Sequence, residues 1–264
     1  MPRQLTKAKD VSAKQQKITF SDKIRAFSNF FLCLSQIATS LVFDFLNIGK
    51  NISNESNTFN TPVIPAGYAF SIWGLIYLFA LFYSIDQIKF SKENLVVYRK
   101  VGWLTSISLA MCTLWQLTAK FVSFSAPTLI PMFILFISAV STLVVYKKYE
   151  SNYKKSLLAY FTVSTLAGWV SVALFANISS VLFQNNVGFN LSLTNLSALI
   201  LLIAVITTLA IIFKTSNLIY YITVVWAFVA ILVANVFINL NELIFYEIAI
   251  SLVAVSLCYY ISKN

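Results

Sequence analysis

The stretch LSALILLIAVITTLAIIF, Leu196–Phe213, runs without a single charged residue. An apolar run of this length reaches across a hydrocarbon core of about 30 Å as one helix. Seven comparable runs flank it, at about Ala26–Ile48, Gly67–Ile85, Gly102–Val122, Thr128–Tyr146, Leu157–Phe183, Ile219–Leu240 and Leu243–Ser262. They are too long and too continuous for the alternating strands of about ten residues that build outer-membrane barrels. The fold they predict is all-α, a polytopic transmembrane helical bundle of about eight spans. The third run is the least apolar, with Lys120 near its end. The last two are separated by little more than Asn239, Asn241 and Glu242, which predicts a tight helical hairpin.

Composition agrees with this reading. Of 264 residues, 59% are hydrophobic and only 11% charged, with a mean hydropathy of +0.79. A soluble domain carries about 25% charged residues. Most of the chain therefore belongs in the lipid bilayer.

The formal net charge is +10. With the N-terminus placed in the cytoplasm, every basic residue except Lys50 and Lys120 falls in an inside segment, as the positive-inside rule expects. That sidedness predicts an even number of spans with both termini cytoplasmic, and it accounts for the charge without a nucleic-acid partner. Residues 1–25 read as a basic cytoplasmic tail, attracted by its lysines to anionic head groups. It lacks the apolar core of a cleaved signal peptide, and Asp10 and Asp22 argue against a mitochondrial presequence.

Several chemistries are excluded by absence. The chain has no histidine, which removes His-based metal or haem sites, Ser-His-Asp catalysis and His proton relays. No metal site is expected. The three cysteines, Cys33, Cys112 and Cys258, all fall inside spans and read as small packing residues. Asp44, Asp86 and Glu247 lie near span ends, so no carboxylate marks a midplane ion path. The deeper polar residues are Gln116, Asn177 and Asn235, which suit interhelical hydrogen bonds or a ligand. Asn51, Asn54, Asn190 and Asn195 head glycosylation sequons in or beside two polar loops, Gly49–Pro65 and Gln184–Thr194.

Two spans carry a patterned face. On the second, Phe70, Trp73 and Tyr77 follow Pro65 at a spacing that places three rings on one helical face. On the fifth, Trp169, Ala173 and Asn177 share a face, and Ser164, Ala167, Gly168 and Ser171 would let a neighbouring helix approach closely. Trp226, Val229, Ala230 and Asn235 faintly echo Trp169, Val172, Ala173 and Asn177.

These motifs resemble the TspO, or translocator-protein, family, also called tryptophan-rich sensory proteins. The family carries a proline eight residues before a tryptophan that is followed four residues later by tyrosine, here Pro65, Trp73 and Tyr77. Its fifth helix carries a tryptophan eight residues before an asparagine with a small residue between, here Trp169, Ala173 and Asn177. The third-helix pattern is half kept: Trp115 matches, whereas Cys112 stands where asparagine is usual. The resemblance covers residues 26–183 as a five-helix unit and leaves 196–262 as a three-helix extension.

The resemblance implies a non-enzymatic protein that binds or carries a lipophilic small molecule, of porphyrin-, sterol- or other aromatic-like shape. The implied pocket is Phe70, Trp73, Tyr77, Trp115, Trp169, Ala173 and Asn177, with a loop bearing Pro62 and Pro65 as its lid. No cofactor is implied, and without histidine a metal-free tetrapyrrole is the better tetrapyrrole ligand. Family homodimers are common, and the extra helices could block or replace their interface. The rival readings are a secondary transporter or channel for another solute, a structural membrane subunit, and light-dependent porphyrin breakdown.

Overall fold

The computed structural model describes residues 17–58, 61–90, 94–150, 156–237 and 241–263. Most of the basic tail, together with Lys92, Lys154, Lys155 and Asn239, lies outside the described residues. Among the described residues eight long helices follow one another: α1 (Phe20–Phe45), α2 (Gly67–Ile88), α3 (Leu95–Val122), α4 (Leu129–Glu150), α5 (Leu157–Gln184), α6 (Leu193–Thr215), α7 (Leu218–Phe237) and α8 (Glu242–Lys263). A short loop helix, Ile52–Thr58, separates α1 from α2.

Seven of the eight are long and apolar enough to cross a membrane; α3 is the exception. Its Ser, Thr and Gln residues dilute its hydropathy, but its reach matches that of α1. At one end of α3, Arg99 Nε donates to Asp22 at 2.9 Å, and the Gly102 carbonyl accepts from Asn29 at 3.0 Å. At the other, Lys120 pairs with Asp44, and Lys50 N–H donates to the Lys120 carbonyl at 2.9 Å. Helix α3 therefore runs parallel to α1 over the same depth.

The helix boundaries differ from those read by hydropathy where polar caps extend a helix. Helix α1 begins at Phe20 because Thr19 and Asp22 form a reciprocal capping box. Helix α3, by contrast, begins at Leu95 without a side-chain cap, and its first turn, Leu95–Tyr98, is buried all round. Near its other end α1 loosens into a π-helical turn, Ala38–Val42, a feature frequent at functional sites.

Helices α1, α2, α5, α4 and α3 close a ring in that spatial order. A second ring, α5, α7, α8 and α6, shares α5 with the first. Helix α5 is the most deeply buried span as a result. Its small-residue face receives α7. Asn217 donates to Ser164 Oγ at 2.9 Å, and Tyr220 OH to Ser171 Oγ at 3.0 Å. Between them the backbones approach so closely that a Cβ on Gly168 would sit 2.7 Å from Thr223 Cβ. The added helices thus pack against the back of the same helix whose other face carries Trp169 and Asn177.

Candidate ligand-binding site

The site begins where the chain enters α2. Residues 61–66 are buried, and α7 holds them. Asn235 Nδ2 donates to the Pro62 carbonyl at 2.7 Å, Ala66 N–H to the Ala230 carbonyl at 3.0 Å, and Trp226 Nε1 to the Ala69 carbonyl at 3.2 Å. The Trp226 ring also meets Tyr68 edge-on at 5.4 Å. Trp226, Ala230 and Asn235 therefore form one docking face. The segment carrying Pro62 and Pro65 is anchored to the extension rather than standing over an open mouth.

From this anchor a 3-10 turn, Gly67–Ser71, leads into the α-helix at Ile72. Phe70 sits in the turn, and Trp73 and Tyr77 follow in the helix. Trp73 is the centre of an aromatic cluster. It stacks on Tyr77 at 5.7 Å and on Trp115 at 6.1 Å, and meets Trp169 edge-on at 6.3 Å. Phe70 reaches Trp169 at 5.9 Å, and Phe124 reaches Trp115 at 6.2 Å. Offset and edge-on contacts in this range are the favoured geometries for aromatic rings.

A polar chain locks the far side of the cluster. Trp115 Nε1 donates to Asn177 Oδ1 at 2.8 Å, and Asn177 Nδ2 donates to Thr128 Oγ1 at 2.9 Å. Asn177 thus ties α5 to α3 and to the turn before α4. Gln116 Nε2 donates to Tyr77 OH at 2.9 Å. Trp169 Nε1 is buried without a partner among the described residues.

The expected pocket is divided in two. The stacked Trp73 and Trp115 rings form a wall, with Phe70 at its edge, and all three face both sides. On the α5 side, Pro65, Trp169, Ala173 and Asn177 enclose only about 30 Å³, the share of one water in the liquid. On the other side, Tyr77 faces a cavity of about 540 Å³ between α1 and α2, in the size range of small-molecule sites. Pro62 faces neither chamber.

Sequence reasoning missed the α1 and loop lining of the larger cavity: Ile37, Ser40, Leu41, Asp44, Ile52 and Ser53. In the sequence Gln116 and Asp44 stand out only as polar residues at membrane depth or its edge. The covering element is the loop helix. Asn51 caps it through its Oδ1, which accepts from Asn54 N–H at 3.0 Å, while its Nδ2 donates to Asp44 at 2.9 Å. Lys50 pairs with Glu55 at 2.6 Å, and Ser123 also donates to Glu55.

This latch has a defined pH sense. Burial raises the Glu55 carboxyl, but the hydrogen bonds from Lys50 and Ser123 outweigh it and leave the group below its ordinary 4.5. A carboxylate lowered on folding stabilises above its unfolded value and loses that contribution as pH falls through the folded one. Backbone deuterium exchange across Ile52–Thr58, corrected for intrinsic rates, should stay constant from neutrality to pH 4.5 and quicken only below it. In Glu55→Gln the corrected profile should be flat; acceleration beginning well above pH 4.5 in the native chain would contradict the latch.

A polytopic helical membrane protein with a tryptophan cluster at the seam of its helices is the class that fold and site define. The chain belongs to the TSPO-like protein family, whose model matches residues 26–261 and so spans both rings. Comparison with curated proteins and with solved structures returns no match.

Proposed function

We propose that this protein binds or carries a flat, lipophilic small molecule in the cavity between α1 and α2, without catalysing its conversion. The observation that carries the reading is a cavity of about 540 Å³ lined by Trp73, Tyr77 and Trp115 beneath the loop helix. Stacking surface with a few polar groups is what binds porphyrin-, sterol- or other aromatic-like molecules. The gap between α1 and α2 gives such a molecule a route from the bilayer that avoids water. In this reading both termini are cytoplasmic, and the outer faces of the second ring are free for lipid or for a second copy in a homodimer.

The test is tryptophan quenching by protoporphyrin dimethyl ester, with the protein in a bilayer. Saturable quenching is expected in the native protein. Trp73→Ala should weaken it at least about tenfold, the scale of one buried aromatic contact. Trp169→Ala should weaken it less, because Trp169 faces only the smaller chamber. Equal affinities in all three proteins would place the ligand elsewhere.

A further inference from the structure

The larger cavity is polar in a one-sided way. Gln116 faces it and is only 1% exposed. Its Nε2 is committed to Tyr77 OH, with Cys112 Sγ at 3.7 Å, while its Oε1 has no partner among the described residues. A buried carbonyl oxygen left without a donor is costly, so a group that supplies the missing hydrogen is favoured there. At the outer end stands Asp44, whose side chain is 33% exposed. Its carboxylate takes the Lys120 ammonium on one oxygen and the Asn51 amide on the other. The Lys120 ammonium is fully buried behind that pair and does not line the cavity. The charge that an occupant meets is therefore the carboxylate. Ser40, Ser53 and Ser71 complete the polar lining, and their hydroxyls suit donors and acceptors alike.

From these groups we infer that the cavity selects a flat lipophile whose polar end donates a hydrogen bond, an alcohol or a protonated amine, and disfavours one that ends in a carboxylate. Gln116 Oε1 is the acceptor at the buried end, and Asp44 sets the sign of charge at the outer end. This rests on the reading that the cavity holds a lipophile at all, and the experiment separates the two.

One ring system with four end groups serves as the probe: 1-pyrenemethanol, its methyl ether, 1-pyrenemethylammonium and 1-pyrenecarboxylate. Binding to the full chain in zwitterionic nanodiscs is read by energy transfer from tryptophan, corrected for partition into empty discs. The alcohol should bind about fivefold tighter than its ether, the scale of one hydrogen bond, and the carboxylate should bind weakest. Gln116→Met, of similar volume, should bring the alcohol-to-ether ratio close to one. Asp44→Asn should narrow the gap between ammonium and carboxylate; the double variant Asp44→Asn with Lys120→Met should do the same without leaving an unpaired ammonium. An ether that binds as well as the alcohol overturns the inference, as does an alcohol preference that survives in Gln116→Met. Saturable transfer without ranking overturns the selectivity and leaves lipophile binding standing. No saturable transfer from any probe overturns the binding reading and the inference with it.

Discussion

Asp22→Ala is expected to cost about 3–5 kcal/mol of unfolding free energy, the scale for removing one partner of a buried ion pair. Asp22 and Arg25 are 1% and 3% exposed, and Arg25 Nη1 donates to Asp22 Oδ1 at 2.8 Å. The same carboxylate takes Arg99 Nη2 at 2.6 Å, and it closes the capping box that starts α1. Its loss would strand Arg25, whose remaining hydrogen bond is a long one to Gln87 at 3.4 Å. Arg25 lies flat across Gly102, so close that a Cβ there would sit 2.4 Å from Arg25 Cδ. Titration with a denaturing detergent in mixed micelles measures the loss. Pairing the change with Arg25→Met should restore most of the stability, since replacing both members of a buried pair with apolar groups is often near neutral. A single-variant loss below about 1 kcal/mol, typical of solvated pairs, would sink this account.

The same cluster marks a limit of what sequence conveys. Arg25 read as part of a basic tail and Asp22 only as an acid out of place in a presequence, because charge counted by segment says nothing about partners. Long-range pairing across α1 and α3 becomes visible only when Gly102 lets an arginine cross a helix surface. The spans themselves were legible, since a run such as Leu196–Phe213 has few alternatives in water or lipid. So was the docking face of α5. Ser164, Ala167, Gly168 and Ser171 share a side, and lateral packing in lipid favours small residues.

The convergence of the aromatic side chains was legible in the sequence, but the shape of the space around them was not. Trp73, Tyr77, Trp115, Trp169 and Asn177 do gather at one seam. Spacing fixes which face a side chain leaves from, not the rotamer it adopts, so the wall made by Trp73 on Trp115 had no signature. The π-turn in α1 and the backbone acceptors of Pro62, Ala69 and Ala230 carry no side-chain code either. The faint echo of Trp226, Ala230 and Asn235 was a real signal with another meaning. It marks the face that holds the entry to α2, where its counterpart on α5 closes the small chamber.

Trp115 is where stability and pocket shape meet. It is 3% exposed, carries two ring contacts, and ties α3 to α5 through Asn177. Trp115→Ala should lose about 3–5 kcal/mol, the usual cost of emptying a buried aromatic site, and it also leaves Asn177 Oδ1 without its donor. Trp115→Phe retains most of the ring and loses the N–H, so about 1–3 kcal/mol is expected. Adding Asn177→Leu to Trp115→Phe should recover part of that loss, because removing both partners of a buried hydrogen bond is milder than removing one. The two single variants also separate packing from partition. With the ring gone, the wall between the chambers is breached, and Trp115→Ala should admit broader flat ligands than the native protein does. Trp115→Phe should keep the native size preference despite its lower stability. Detergent-titration unfolding and a series of polycyclic aromatics of increasing width give both readouts on the same proteins. Identical width preference in the native protein and Trp115→Ala would mean that Trp115 does not divide the space.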